Sequence, residues 1–144
     1  MIFEIKTRKI TNFVRIYEFI YKLAASQLKI SFVPHLHNKF SLLQGYTTQK
    51  HPSHQKLHKV AKAGVDAAFS ETGVKFDASQ SGASLYVAAG GSDDYAIDIG
   101  IPYAYTLELG AEELGFSVPP EYLNQTLQAG FIAIKGMVQQ VIQM

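Results

Sequence analysis

A chain of 144 residues, 47% of them hydrophobic, can bury one modest core and is too short for several. A formal net charge of +1 gives nucleic acid no bulk electrostatic hold, and the lack of cysteine excludes a disulfide frame or a thiolate metal site. No run reaches the roughly 20 apolar residues that a membrane-spanning helix needs.

The charge is unevenly spread. Lys6, Arg8, Lys9, Arg15, Lys22 and Lys29 crowd the start against only Glu4 and Glu18. Within this segment Ile10, Phe13, Val14, Tyr17, Ile20 and Tyr21 recur at helical spacing, which predicts an amphipathic helix over 9–24. A basic membrane-surface or partner-binding helix is one reading, and a helix covering a sheet is the favoured one. Arg15, Glu18 and Lys22 interrupt any apolar stretch that a secretory signal would need. Residues 30–33 read as a short buried strand ending at Pro34 and leading into His35-Leu36-His37. On a strand the two imidazoles would share a face, a spacing that can serve zinc, although two ligands do not make a tight site.

Residues 52–69 form the clearest helix. Leu57, Val60, Ala61, Gly64, Val65 and Ala68 make its apolar stripe, Lys56, Lys59, Lys62 and Asp66 lie off it, and Thr72-Gly73 can end it. His51, His54 and His58 cluster near its start, where solvated polar residues are the preferred explanation over a metal site. Residues 74–84 are a polar connector. The stretch 86–109 then carries Gly90 and Gly91 in a loop, Ser92-Asp93-Asp94, and a strand whose alternation puts Ile101, Tyr103, Tyr105 and Leu107 on one face. Glu108 falls on the other face with the small residues Ala104 and Thr106, which leave a hollow. Asp93 and Asp94 also fit the first turn of a short helix, where the helix dipole stabilises acids without any substrate. Pro119-Pro120 breaks the chain, and a last helix over 124–143 should bury Leu127, Phe131, Ile134, Val138 and Val141 or Ile142.

Several of these stretches, in this order, resemble the zinc carboxypeptidases of the pancreatic A/B type. The matching motifs are Tyr86, the Gly-Gly-Ser-Asp-Asp-Tyr turn at 90–95, the Gly-Ile-Pro-Tyr-Ala-Tyr-Thr-Leu-Glu-Leu strand at 100–109, and Gly115-Phe116 with Pro119. Further upstream, a strand ending in histidine leads to Gly45-Tyr46-Thr47-Thr48, followed by a helix containing Val60-Ala61-Lys62. The resemblance covers residues 30–144, which would be the C-terminal portion of a longer catalytic domain, with 1–29 a divergent basic segment. It implies an α/β fold, a partial mixed β-sheet flanked by helices.

The resemblance also implies roles. Glu108 would be the base that takes a proton from a zinc-bound water, and His37, preferred over His35, would be a zinc ligand. Tyr86 would close over the substrate's last residue, and Asp93 would sit at the floor of its pocket and favour Lys or Arg. Zinc is the implied cofactor, peptide or protein C-termini are the implied partners, and a secreted location is implied. The family's other two zinc ligands come from a His-x-x-Glu motif, and no such motif occurs in this sequence. The family continues after the glutamate and leucine with an Arg-Asp pair, whereas Leu109-Gly110-Ala111-Glu112-Glu113-Leu114 is one residue shorter and lacks it. The expectation is therefore a truncated metallocarboxypeptidase that retains no tight zinc and is inactive alone, prone to self-association through sheet edges. The alternative is a non-catalytic protein that binds peptide C-termini.

Overall fold

The computed structural model describes residues 30–35, 47–84, 86–109 and 119–144. The expected helix at 9–24, His37 and the Gly115-Phe116 motif lie outside them. In chain order the described elements are strand β1 (Ile30–His35), helix α1 (His54–Thr72), the short helix α2 (Ser81–Ser84), helix α3 (Ser92–Asp98), strand β2 (Tyr103–Glu108) and helix α4 (Pro120–Ile142). This is the expected α/β fold with helices about a sheet.

β1 and β2 pair in parallel, in a register that sets Ile30 against Tyr103 and His35 against Glu108. The strand does not stop at Pro34, which pairs with Leu107. A proline is tolerated in a strand where its missing N–H is not needed by the ladder.

α1 forms because its apolar residues recur on one face, and Leu57, Val60, Ala61, Gly64 and Ala68 are all buried. Gly73 ends it at φ 71, with its N–H donating to Phe69 O at 2.9 Å. Only a residue without Cβ takes that left-handed conformation at little cost. α4 starts earlier than the double proline suggested. Pro120 occupies its first turn, where a missing N–H costs nothing because no intrahelical acceptor exists for it.

α1 and α4 pack face to face through small residues. A Cβ built on Gly136 would lie 2.8 Å from Ala67 Cβ and 3.0 Å from Ala63 O, and one on Gly64 would lie 2.7 Å from Ala133 O. The buried face of α4 is accordingly wider than its large residues imply: Ala129, Ala133 and Met137 are inside with Leu127, Ile134 and Val138. Phe131, expected inside, is 38% exposed, and Ile142 is 65% exposed. Closely approaching backbones leave room for alanine and glycine at the interface and displace a phenylalanine to its rim.

The shared core joins this helix pair to β2. Tyr103, Tyr105, Leu107 and Leu109 cluster with Leu57, Val60, Leu127, Ile134 and Met137. Val60, Leu107, Ile134 and Met137 are the largest fully buried side chains, each stabilising by about 1.5–3 kcal/mol relative to exposure. Tyr105 crosses the core and donates its hydroxyl to Leu57 O at 3.1 Å. Among the described residues no helix is long and apolar enough to cross a membrane.

Candidate active site

Parallel pairing aligns the carboxyl ends of the two strands. In open α/β sheets that edge is where ligands bind, because the loops leaving it are free to vary over a fixed frame. Two candidate residues meet there: the register makes His35 and Glu108 direct neighbours. Glu108 is half-buried, as expected for the strand face carrying Ala104 and Thr106, whereas Tyr103, Tyr105 and Leu107 turn to the core.

α3 packs against both strands. Its N-terminus follows from the sequence: Gly90 takes φ 89, Gly91 is the extended N-cap, and Asp93 and Asp94 fill the first turn. Glycine suits this cap for a steric reason. A Cβ at Gly91 would meet Asp93 Oδ1 at 2.5 Å and Asp94 Oδ2 at 3.3 Å, so the two carboxylates fold back over the helix end. Asp93 Oδ1 accepts from the Asp94 N–H at 3.1 Å, and the two residues are 6% and 5% exposed. Acids in this position are stabilised by the unpaired amides and dipole of the turn. Asp93 therefore has structural work at the start of α3. Gly100, at φ 87, ends the helix and turns the chain into β2.

Tyr86 lies on the loop before α3 and is 71% exposed, with Val87 beside it at 56%. The connector before this loop is held by a residue with no signal in the sequence. Gln80, 8% exposed, donates through Nε2 to Thr47 O at 2.8 Å and Gln49 O at 2.9 Å. One amide thus ties the connector to the segment from Thr47 to Gln49. An isolated glutamine in a polar stretch carries no signal of such a clip, whereas the Gly-Gly pair before the two aspartates did mark the tight start of α3.

His51, His54 and His58 lie on and before the first turns of α1, not on either strand. Among the described residues no three or more histidine, aspartate or glutamate side chains gather as a metal site. Catalytic zinc takes three protein ligands and keeps one open position. The described donors at the strand edge, one histidine beside one glutamate, do not supply that set.

The zinc carboxypeptidase family model matches residues 4–133. The chain belongs to the zinc carboxypeptidase family. The match starts inside the 1–29 segment that composition set apart. Dog carboxypeptidase B is 30% identical over 97% of the chain, and human mast cell carboxypeptidase A is 26% identical over the same share. In both cases the chain spans only 32% of the relative's length. Among solved structures, bovine thrombin-activatable fibrinolysis inhibitor in complex with tick carboxypeptidase inhibitor superposes with a TM-score of 0.74 at 27% identity. That alignment covers 80% of this chain and 40% of the other. The carboxypeptidase A of Helicoverpa armigera gives a TM-score of 0.70 at 22% identity, which supports the fold alone. The carboxypeptidase portion expected from the motifs is the fold found.

Proposed function

We propose that this chain carries the glutamate edge and the pocket wall of a metallocarboxypeptidase site, whose intact form removes C-terminal residues from peptides. The observation that carries the reading is the pairing of His35 with Glu108 at the carboxyl ends of parallel strands. Glu108 is the base: a carboxylate at that edge can accept a proton from a water held in front of it. A histidine of the His35-Leu36-His37 segment is the metal ligand, and the register favours His35, while His37 lies outside the described residues. Tyr86 covers the substrate's last residue from its exposed loop. Asp93 biases the pocket toward Lys or Arg, a role it combines with holding the start of α3.

The chain by itself has no His-x-x-Glu, and a single imidazole does not hold zinc tightly. On its own it is therefore inactive and does not retain the metal. Location outside the cell belongs to the same proposal, as does self-association through strand edges, which sedimentation at two concentrations would reveal. A second reading, favoured by the missing motif, is a protein that binds C-terminal Lys peptides without cleaving them. Zinc stoichiometry on the folded chain, with binding and hydrolysis of a Lys-terminated peptide followed in parallel, separates the cases. No tight zinc and no turnover is expected. One tight zinc per chain with turnover abolished in Glu108→Gln would refute the inactivity and keep the assigned base. Binding without turnover, lost in Asp93→Asn, would establish the second reading.

A further inference from the structure

On the first turns of α1, His54 and His58 face each other with ring centroids 5.9 Å apart and planes only 17° from parallel. Among the described residues neither imidazole makes a side-chain hydrogen bond. Residues four apart on a helix lie on one face, so rotation about the side-chain bonds can turn one ring nitrogen of each stacked imidazole toward a single ion. Burial, then the charge of Lys50, then His58 hold the His54 imidazole below the usual histidine range.

We propose that His54 and His58 form a surface binding site for a late first-row divalent ion, with Cu2+ held more tightly than Zn2+ and water completing the coordination. The argument extends to ion choice. Lys50 repels any dication electrostatically, so an ion held mainly by charge, such as Mg2+ or Ca2+, gains nothing here. An ion with intrinsic preference for imidazole overcomes that repulsion, and the preference rises to Cu2+ along the first row. The nearby third histidine is excluded by its own hydrogen bond. His51 Nδ1 accepts from the Ser53 N–H at 3.1 Å, so its neutral form carries the proton on Nε2 and has no lone pair left. The site lies outside the strand edge of the proposed carboxypeptidase function and does not depend on it.

The test is calorimetric titration of the folded 144-residue chain with Cu2+ and Zn2+, repeated with His54→Gln, His58→Gln, His51→Gln and a His35→Gln/His37→Gln double variant. Circular dichroism confirms that each variant retains its helices. Loss of one arm of a two-armed chelate should weaken Cu2+ binding by about a hundredfold. That loss is expected in His54→Gln and in His58→Gln, with binding by His51→Gln and by the strand double variant unchanged. Equal affinity in the wild type and in His54→Gln or His58→Gln would overturn the proposal. So would the absence of any Cu2+ binding, or a loss confined to His51→Gln or to the strand variant.

Discussion

Replacing Gly136 by alanine sets two known effects against each other on α4. Alanine is favoured over glycine inside a helix by about 1 kcal/mol, which would stabilise the protein. The new Cβ, however, would lie 2.8 Å from Ala67 Cβ, 3.0 Å from Ala63 O and 3.3 Å from Gly64 Cα. None of these atoms is at the end of a flexible side chain, so the helices must move apart. Overpacking of this kind costs about 1–3 kcal/mol, and separating α1 from α4 engages the upper part of that range. The net expectation is destabilisation by about 1–2 kcal/mol. Gly130 on the same helix is the internal control. It is also buried, but the three atoms nearest a Cβ there all belong to the Leu109 side chain, with Cδ2 at 2.7 Å, and a leucine terminus can rotate aside. Gly130→Ala should therefore be near neutral. In urea unfolding with a slope of about 2 kcal/mol/M, Gly136→Ala should lower the midpoint by about 0.5–1 M at unchanged slope. A midpoint raised by Gly136→Ala, or the same shift for both glycines, would refute the close crossing of α1 and α4.

Two further predictions concern titrating groups. Burial, with Tyr103 adding to it, pushes the Tyr105 phenol well above the usual tyrosine range. The neutral form is thus favoured in the folded state, and this contribution is complete below about pH 10 and lost as pH rises beyond it. Tyr105→Phe should remove that alkaline dependence and cost about 0.5–1.5 kcal/mol at neutral pH through the lost bond to Leu57 O, as read from denaturant midpoints. His54 behaves in the opposite sense. Its lowered value means that the unfolded chain takes up the proton first, so stability is complete above about pH 6.5 and falls as pH drops below it. Thermal midpoints at pH 7.5 and 5.5 should differ less in His54→Gln than in the wild type, with Lys50 and His58 retained as the charges that face it.

The sequence made α1 and the facing of β2 legible because large and small residues there follow one period. Leu57, Val60, Ala61, Gly64 and Ala68 fall on one stripe, and Tyr103, Tyr105 and Leu107 on one strand face, as the structure finds them. α4 was only half legible. Its inner surface is built from Ala129, Ala133, Gly136 and Met137, and a search for large apolar residues assigns Phe131 to the wrong side. The strand edge was legible as motifs but not as geometry. No local pattern states that His35 lies beside Glu108, because register between distant strands is set by the whole sheet. Gln80 was invisible for a related reason: its partners are backbone carbonyls some thirty positions away, which leave no trace in residue type.

Glu108 and His35 reach the strand edge on one parallel ladder. β2 is fixed by the core from α1 and α4, through Leu107 and through the Tyr105 hydroxyl on Leu57 O, all within the described residues. β1 is joined to that frame through its ladder with β2 and its packing against α3. Positioning a metal ligand demands tighter geometry than positioning a base that acts through a water, since zinc–nitrogen bonds are fixed near 2.0–2.1 Å. Among the described residues the carboxylate sits on the strand that the core anchors. One imidazole at that edge does not complete the three-ligand set of a catalytic zinc, so the proposed function expects a folded chain that keeps its glutamate in place without tight zinc.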